Sequence, residues 1–261
     1  MAKSVEVTGG TLVYDEFGAG AETIVFVHDA GGNRLSWWQQ IPAFRDRFRC
    51  VTYEVRGWGR SQDLSGEGVT AFSRDLGELM DGLQIDRATL VGQSMGGFTV
   101  MPYAARNPDR VDALMMADTV VGIGDAAILA GLEDSLEAAS SATPEAWDTQ
   151  MFGSAYVERS PAGVFLYNQI RALNSPPESL AGYGVAQGAV TNDELANLTM
   201  PVVFVAGSED VLIPASLIEQ AAELIPQAKY VEGPTCGHSV YWELPDRFNG
   251  ILEELLVEAY G

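Results

Sequence analysis

Short unbroken apolar runs alternate with stretches of helical periodicity along most of the chain. Residues 5–7 and 12–14 flank Gly9-Gly10 and predict an opening hairpin. Thr23-Ile24-Val25-Phe26-Val27 has no polar position after its first residue, the pattern of a strand covered on both faces. Residues 50–55 predict the next strand. Phe72, Leu76, Leu79, Met80 and Leu83 recur at helical spacing over 71–83. A strand at 88–92 leads directly into a helix over 95–106. Strands follow at 111–117, 202–206 and 229–231, and a closing helix spans 245–259. Strand and helix in repetition predict an α/β fold. Its sheet has eight strands, is mostly parallel, and carries helices on both faces.

Residues 120–197 break the alternation. They contain helical segments such as 126–139 and Pro/Gly joints at Ser175-Pro176-Pro177 and Gly182-Tyr183-Gly184, with no strand pattern. A structureless loop of that length does not suit a compact domain. The stretch reads as a helical insertion after the sixth strand, between core segments 1–119 and 198–261.

Composition narrows the function. The 261 residues hold 15 Lys+Arg against 36 Asp+Glu, a formal net charge of −21. Such a surface repels phosphate backbones and anionic bilayers, so neither nucleic acid nor membrane is an expected partner. No apolar run approaches the ~18 residues of a membrane span, and the first residues lack a signal-peptide core. Two cysteines, Cys50 and Cys236, make no disulfide framework. A cytoplasmic monomer or homodimer acting on a small molecule is the expectation. Two Cys and two His without chelating spacing argue against a metal.

Gly92-Gln93-Ser94-Met95-Gly96 fits G-x-S-x-G between a strand and a helix, the setting of a nucleophile elbow. A serine nucleophile needs a base. Only His28 and His238 are available. His238 lies in a loop after the last strand, where no core role calls for it. His28 ends an apolar strand and suits a structural hydrogen-bonding role. The base in turn needs an orienting carboxylate. Asp210 follows the strand at 202–206 and is the first candidate, with Glu209 beside it and Asp118 after the preceding strand as rivals. Ligands gather at that strand edge in α/β folds.

With these motifs in place the sequence resembles the α/β-hydrolase fold superfamily over essentially its whole length. Val27-His28-Asp29-Ala30-Gly31-Gly32 is similar to the family's His-Gly-x loop. Arg56-Gly57-Trp58-Gly59-Arg60-Ser61 resembles its R-G-x-G-x-S turn. The order Ser94, Asp210, His238, with Pro214 and Glu243, matches its closing motifs. The resemblance implies a Ser-His-Asp triad, no cofactor, and an oxyanion hole from the backbone N–H groups of Ala30 and Met95. It also implies that the insertion is a cap.

Two positions depart from the family pattern. Glu54 stands where Asp is common and reads as an anchor for its turn. Asp29 replaces a glycine. Either its side chain points away from the cleft, which is the favoured expectation, or it faces the oxyanion and serves another proton transfer. The substrate pocket is expected from Asp29, Trp37, Trp147, Phe152 and Tyr156. Trp38, Phe165, Tyr167 and Tyr183 are further aromatics that line a pocket or form the insertion's own core. Arg159 and Arg171 are candidate partners for a substrate carboxylate, and Cys236 reads as filler beside the His238 loop.

A serine hydrolase of small, rather apolar carboxylic esters or lactones is the expected function. Alternatives on the same fold are a carbon–carbon bond hydrolase of aromatic ring-cleavage products, a non-hydrolytic lyase or biosynthetic catalyst resting on Asp29, and a silent binding module.

Overall fold

A computed structural model describes residues 2–140, 147–174 and 186–261. The sheet opens with β1 (Lys3–Val7) and β2 (Gly10–Phe17), the expected hairpin, paired antiparallel from Lys3–Tyr14 to Val7–Gly10. It continues through β3 (Thr23–Val27), β4 (Arg49–Tyr53), β5 (Gln62–Asp63), β6 (Ala88–Gln93), β7 (Val111–Ala117), β8 (Val202–Gly207) and β9 (Ala228–Gly233). The spatial order is β1-β2-β4-β3-β6-β7-β8-β9, and every neighbour from β4 to β9 is parallel. The two-residue β5, too short to show periodicity, hangs on β2. β4 stops at Tyr53 rather than at 55, because Glu54 and Val55 already belong to the turn that follows.

Helices cover both faces, which is why β3, β6 and β8 are buried at every position. On one face α2 (Phe72–Gly82), α3 (Gly97–Arg106) and α9 (Ala215–Glu223) bury Leu76, Leu79, Val100, Met101 and Ile218. On the other α10 (Val240–Glu243) and α11 (Pro245–Tyr260) bury Trp242, Phe248, Leu252 and Leu256, together with α1 (Ile41–Phe44). The stretch between β7 and β8 holds α4 (Ala126–Ser140), α5 (Trp147–Met151), α6 (Ser154–Arg159), α7 (Pro161–Arg171) and α8 (Asn192–Ala196). Its base is closed by a parallel bridge between Ile123 and Val190. The two Pro/Gly joints at 175–177 and 182–184, and Tyr183 with them, lie outside the described residues. No helix among the described residues is long and apolar enough to cross a membrane.

Candidate active site

Parallel strands deliver their C-terminal ends to one edge, and the chemistry gathers there. β6 turns sharply at Ser94, whose φ of +48° follows an extended Gln93. A left-handed L-residue costs ~1–2 kcal/mol, so the surroundings must enforce it. Glycines make the turn possible. A Cβ on Gly92 would strike Val100 and the Gly96 backbone, and one on Gly96 would strike the Val27 carbonyl.

Ser94 Oγ lies 2.7 Å from His238 Nε2, and His238 Nδ1 lies 2.7 Å from Asp210 Oδ2. Asp210 is itself fixed, since its Oδ1 accepts the N–H groups of Leu212 at 2.8 Å and Ile213 at 3.0 Å. Gln93 Nε2 donates to the His238 carbonyl at 2.7 Å and holds the loop. Burial opposes protonation of His238, but the charge and hydrogen bond of Asp210 outweigh it, with Asp118 and Asp29 adding to them. The ring is pushed up to about 9.

The two rival acids go elsewhere. Glu209 is exposed and meets Cys236 through its backbone. Asp118 is fully buried and accepts the N–H groups of Gly207 and Val240, each at 3.1 Å. Burial pushes its carboxyl up to about 8. His28 is a strut. Its Nδ1 donates to the Asp29 carbonyl at 2.7 Å, its Nε2 accepts the Val55 N–H at 3.0 Å, and burial lowers its pKa. Glu54 anchors the following turn through Arg60 N–H at 2.7 Å and Arg34 at 2.6 Å.

A cavity of about 270 Å³ opens over Ser94. Its walls are Asp29, Ala30 and Gly31, then Val69, Phe72, Met95, Phe98, Val121, Leu132, Leu136, Trp147, Met151, Leu212 and Ile213, with His238 at the base. Met95 N–H lies in the first helical turn after Ser94, where N–H groups lack intrahelical acceptors. The Ala30 N–H has no acceptor among the described residues.

Asp29 does not turn wholly away, as the sequence suggested. It lines the cavity, but its carboxylate folds along its own loop. Oδ2 accepts the Gly31 N–H at 3.1 Å and the Tyr167 hydroxyl. Of the four aromatics expected in the pocket, Trp147 lines it. Trp37, Phe152 and Tyr156 do not. Trp37 is fully buried against Phe26 and Tyr241, at ring distances of 5.0 and 4.8 Å. Phe152 packs on Tyr156 at 5.3 Å and on Tyr167 at 5.1 Å. Flat apolar rings are drawn into the core unless a polar tip or a cleft retains them. Trp38 is about half exposed and Phe165 is exposed.

Neither arginine lines the cavity. Arg159 donates to the Glu243 carbonyl at 3.1 Å, and Arg171 lies 4.0 Å over the Trp147 ring. Cys236 is buried and its thiol is pushed far up by that burial, so it stays protonated filler. Sequence reasoning missed most of the apolar walls, because Val69, Phe98, Leu132 and Leu212 come from separate elements and carry no local signal.

Glu243 sits under the His238 loop. Its carboxylate accepts Gly237 N–H at 2.9 Å and Gly153 N–H, from the insertion, at 3.1 Å. Burial pushes it up to about 7. No cluster of three metal-ligating side chains occurs among the described residues.

Comparison with known proteins bears on the fold. The sequence pattern of the alpha/beta hydrolase fold matches residues 22–245. The chain is 27% identical to a 2-hydroxy-6-oxononadienedioate/2-hydroxy-6-oxononatrienedioate hydrolase of Paraburkholderia phymatum, over 95% of this chain and 92% of that one. It is 28% identical to a 3-oxoadipate enol-lactonase of Acinetobacter baylyi, over 94% and 92%. The crystal structure of the enol-lactonase from Burkholderia xenovorans superposes with a TM-score of 0.82 at 25% identity, covering 98% of this chain and all of that one.

Proposed function

Because the chain belongs to the alpha/beta hydrolase fold family, we propose that it is a serine hydrolase of small, neutral, rather apolar carboxylic esters or lactones. Ser94 Oγ attacks the substrate carbonyl while His238 Nε2 takes its proton. Asp210 holds His238 in the tautomer with Nδ1 protonated, so that Nε2 faces the serine. The carbonyl oxygen becomes an oxyanion between the N–H groups of Ala30 and Met95. Such donors favour the transition state because charge develops there, and one of them is worth ~3 kcal/mol. Collapse expels the alcohol, which leaves with the proton from His238. Water then attacks the acyl-enzyme, giving its proton to His238; the bond to Ser94 Oγ breaks, Oγ takes that proton back from His238, and the acid departs. For a lactone, acid and alcohol leave as one molecule. Residues 1–119 and 198–261 serve as the catalytic core, and 120–197 serves as a cap that closes the cavity. The two free cysteines, Cys50 and Cys236, support a cytoplasmic location.

The observation that carries the neutral substrate is the cavity wall. Among the described lining residues there is no Lys or Arg, and the one carboxylate is Asp29. The two curated relatives are named for dicarboxylates. A carboxylate entering this cavity would meet apolar walls and the like charge of Asp29, with no Lys or Arg among the described lining residues to pair it, and burying it unpaired is costly. The test is a rate comparison of neutral nitrophenyl esters and simple lactones against a ring-cleavage dienoate bearing carboxylates. We expect kcat/KM for the best neutral ester to exceed that for the dienoate by ~10²-fold or more, the scale of an uncompensated buried charge. A dienoate turned over faster than every ester and lactone would overturn the reading in favour of carbon–carbon bond hydrolysis.

A further inference from the structure

Helix α7 of the insertion reaches down and grips the loop after β3. Tyr167 donates its hydroxyl to Asp29 Oδ2. Just beyond the helix, Asn174 Nδ2 donates to the carbonyls of Gly31 at 3.0 Å and Gly32 at 2.9 Å. In return Asn33 Nδ2 donates to the Ile170 carbonyl at 3.0 Å and to Asn174 Oδ1 at 3.1 Å. A Cβ on Gly31 would run into the Tyr167 hydroxyl and displace it.

The gripped loop carries the Ala30 N–H. Asp29 Oδ2 accepts the Gly31 N–H at 3.1 Å, which closes an Asx turn around Ala30. The peptide joining Asp29 to Ala30 is also held from behind, because its carbonyl oxygen accepts His28 Nδ1–H. In a planar trans peptide the N–H points opposite to the C=O, so fixing one aims the other. Tyr167 is fully buried, and burial with the Asp29 charge raises its pKa well above the usual phenol value. It therefore donates as a neutral hydroxyl.

We propose that Tyr167 and Asn174 are positioning residues: through Asp29 and the Gly31 and Gly32 carbonyls they hold the Ala30 peptide where its N–H meets the developing oxyanion. The inference rests on the reading of Ser94 as nucleophile and Ala30 N–H as oxyanion donor. It gives Asp29 a purpose at a position where glycine would leave Tyr167 nothing to grip. The insertion then shapes the catalytic geometry of the core as well as covering it.

The test compares wild type with Tyr167→Phe, Asn174→Ala, Asp29→Ala, Asp29→Asn and the double variant Tyr167→Phe/Asp29→Ala. The measurements are kcat and KM on a nitrophenyl acetate, the rate of Ser94 labelling by a fluorophosphonate, and Tm. Displacing a reacting group by about 1 Å costs up to ~10²-fold, so Tyr167→Phe and Asn174→Ala are expected to lower kcat by ~10- to 100-fold with KM within about twofold. The double variant should be no slower than Asp29→Ala alone, the non-additivity of two residues acting on one contact. Asp29→Asn keeps an oxygen for Gly31 and Tyr167 and should recover most of the kcat that Asp29→Ala loses. Its acid limb should move to lower pH, because Asp29 is one of three carboxylates, with Asp210 and Asp118, that raise His238. Variants that lose Tm but keep kcat and labelling within twofold of wild type would overturn the inference and leave the hydrolase reading standing. A wild type that neither labels nor turns over ester would sink both.

Discussion

His238 Nδ1 lies 2.7 Å from Asp210 Oδ2, while a second buried carboxylate near it, Asp118, accepts only backbone N–H groups. Asp210→Asn separates the two. The new side chain keeps an oxygen for the N–H groups of Leu212 and Ile213, so folding survives. It then presents an amide N–H to Nδ1, which forces the wrong tautomer. We expect kcat to fall by ~10⁴-fold with Tm nearly unchanged. An Asp210→Asn enzyme within tenfold of wild type would return the orienting role to Asp118.

The pH–rate profile follows from the same pair. A lone catalytic histidine predicts a rise in activity near neutrality. Asp210 and its neighbours push His238 up to about 9. The base acts only when unprotonated, so kcat/KM should keep rising to about pH 9. An acid limb with its midpoint at 6 to 7 would show that the charge on Asp210 is offset in the free enzyme.

Ser94 offers a test that joins activity to strain. On the proposed function, Ser94→Ala and Ser94→Gly should both lose ~10⁴-fold or more in kcat, since the members of a Ser-His-Asp triad act as a unit. Their stabilities should differ. Neither has an Oγ, but only glycine occupies φ of +48° without steric cost. Set against the extra chain entropy of glycine, the relief leaves Ser94→Gly more stable than Ser94→Ala by about 0.5–1 kcal/mol. A Ser94→Gly protein less stable than Ser94→Ala by the glycine entropy alone, about 0.5–1 kcal/mol, would show that the elbow stores no strain at Ser94.

Stability should decline as pH rises through neutrality. Burial raises Asp118 to about 8 and Glu243 to about 7, and Asp210 raises His238 to about 9. Each folded-state pKa lies above its unfolded value, so each contribution is full below the unfolded pKa and is lost as pH passes the folded one. For the two carboxyls the loss begins near pH 4 and ends near 7 and 8. For His238 it runs from about 6.5 to 9. Tm measured from pH 5 to pH 9 should therefore fall, and Asp118→Asn should flatten the slope. A Tm that climbs over that range would contradict these raised pKa values.

The elbow, the histidine and most of the sheet were legible in the sequence. Gly92, Ser94 and Gly96 mark a turn whose motif is contiguous in the sequence. Only two histidines exist, and the loop around His238 had no packing reason to hold one. The two-residue β5 and helix α9 escaped notice, the first because it is too short for a period. The aromatics were misjudged in part. Trp37 and Phe152 have the composition of pocket residues, yet they are packed against Tyr241 and Tyr167.

Sequence alone determined what is encoded within a turn or a strand: apolar periodicity, the elbow, the glycine-rich loop after β3, and the order of serine, acid and histidine. Tertiary structure decided everything that depends on which distant segments meet. His238 finds Asp210 across 28 residues and Ser94 across 144, and Asp29 finds Tyr167 across 138. Those meetings follow from strand order β3-β6-β7-β8-β9, which brings the ends of separate strands to one edge and lays α7 over them. A local pattern carries no record of that order, because the same strand and helix signals are satisfied by any neighbour that buries their apolar faces.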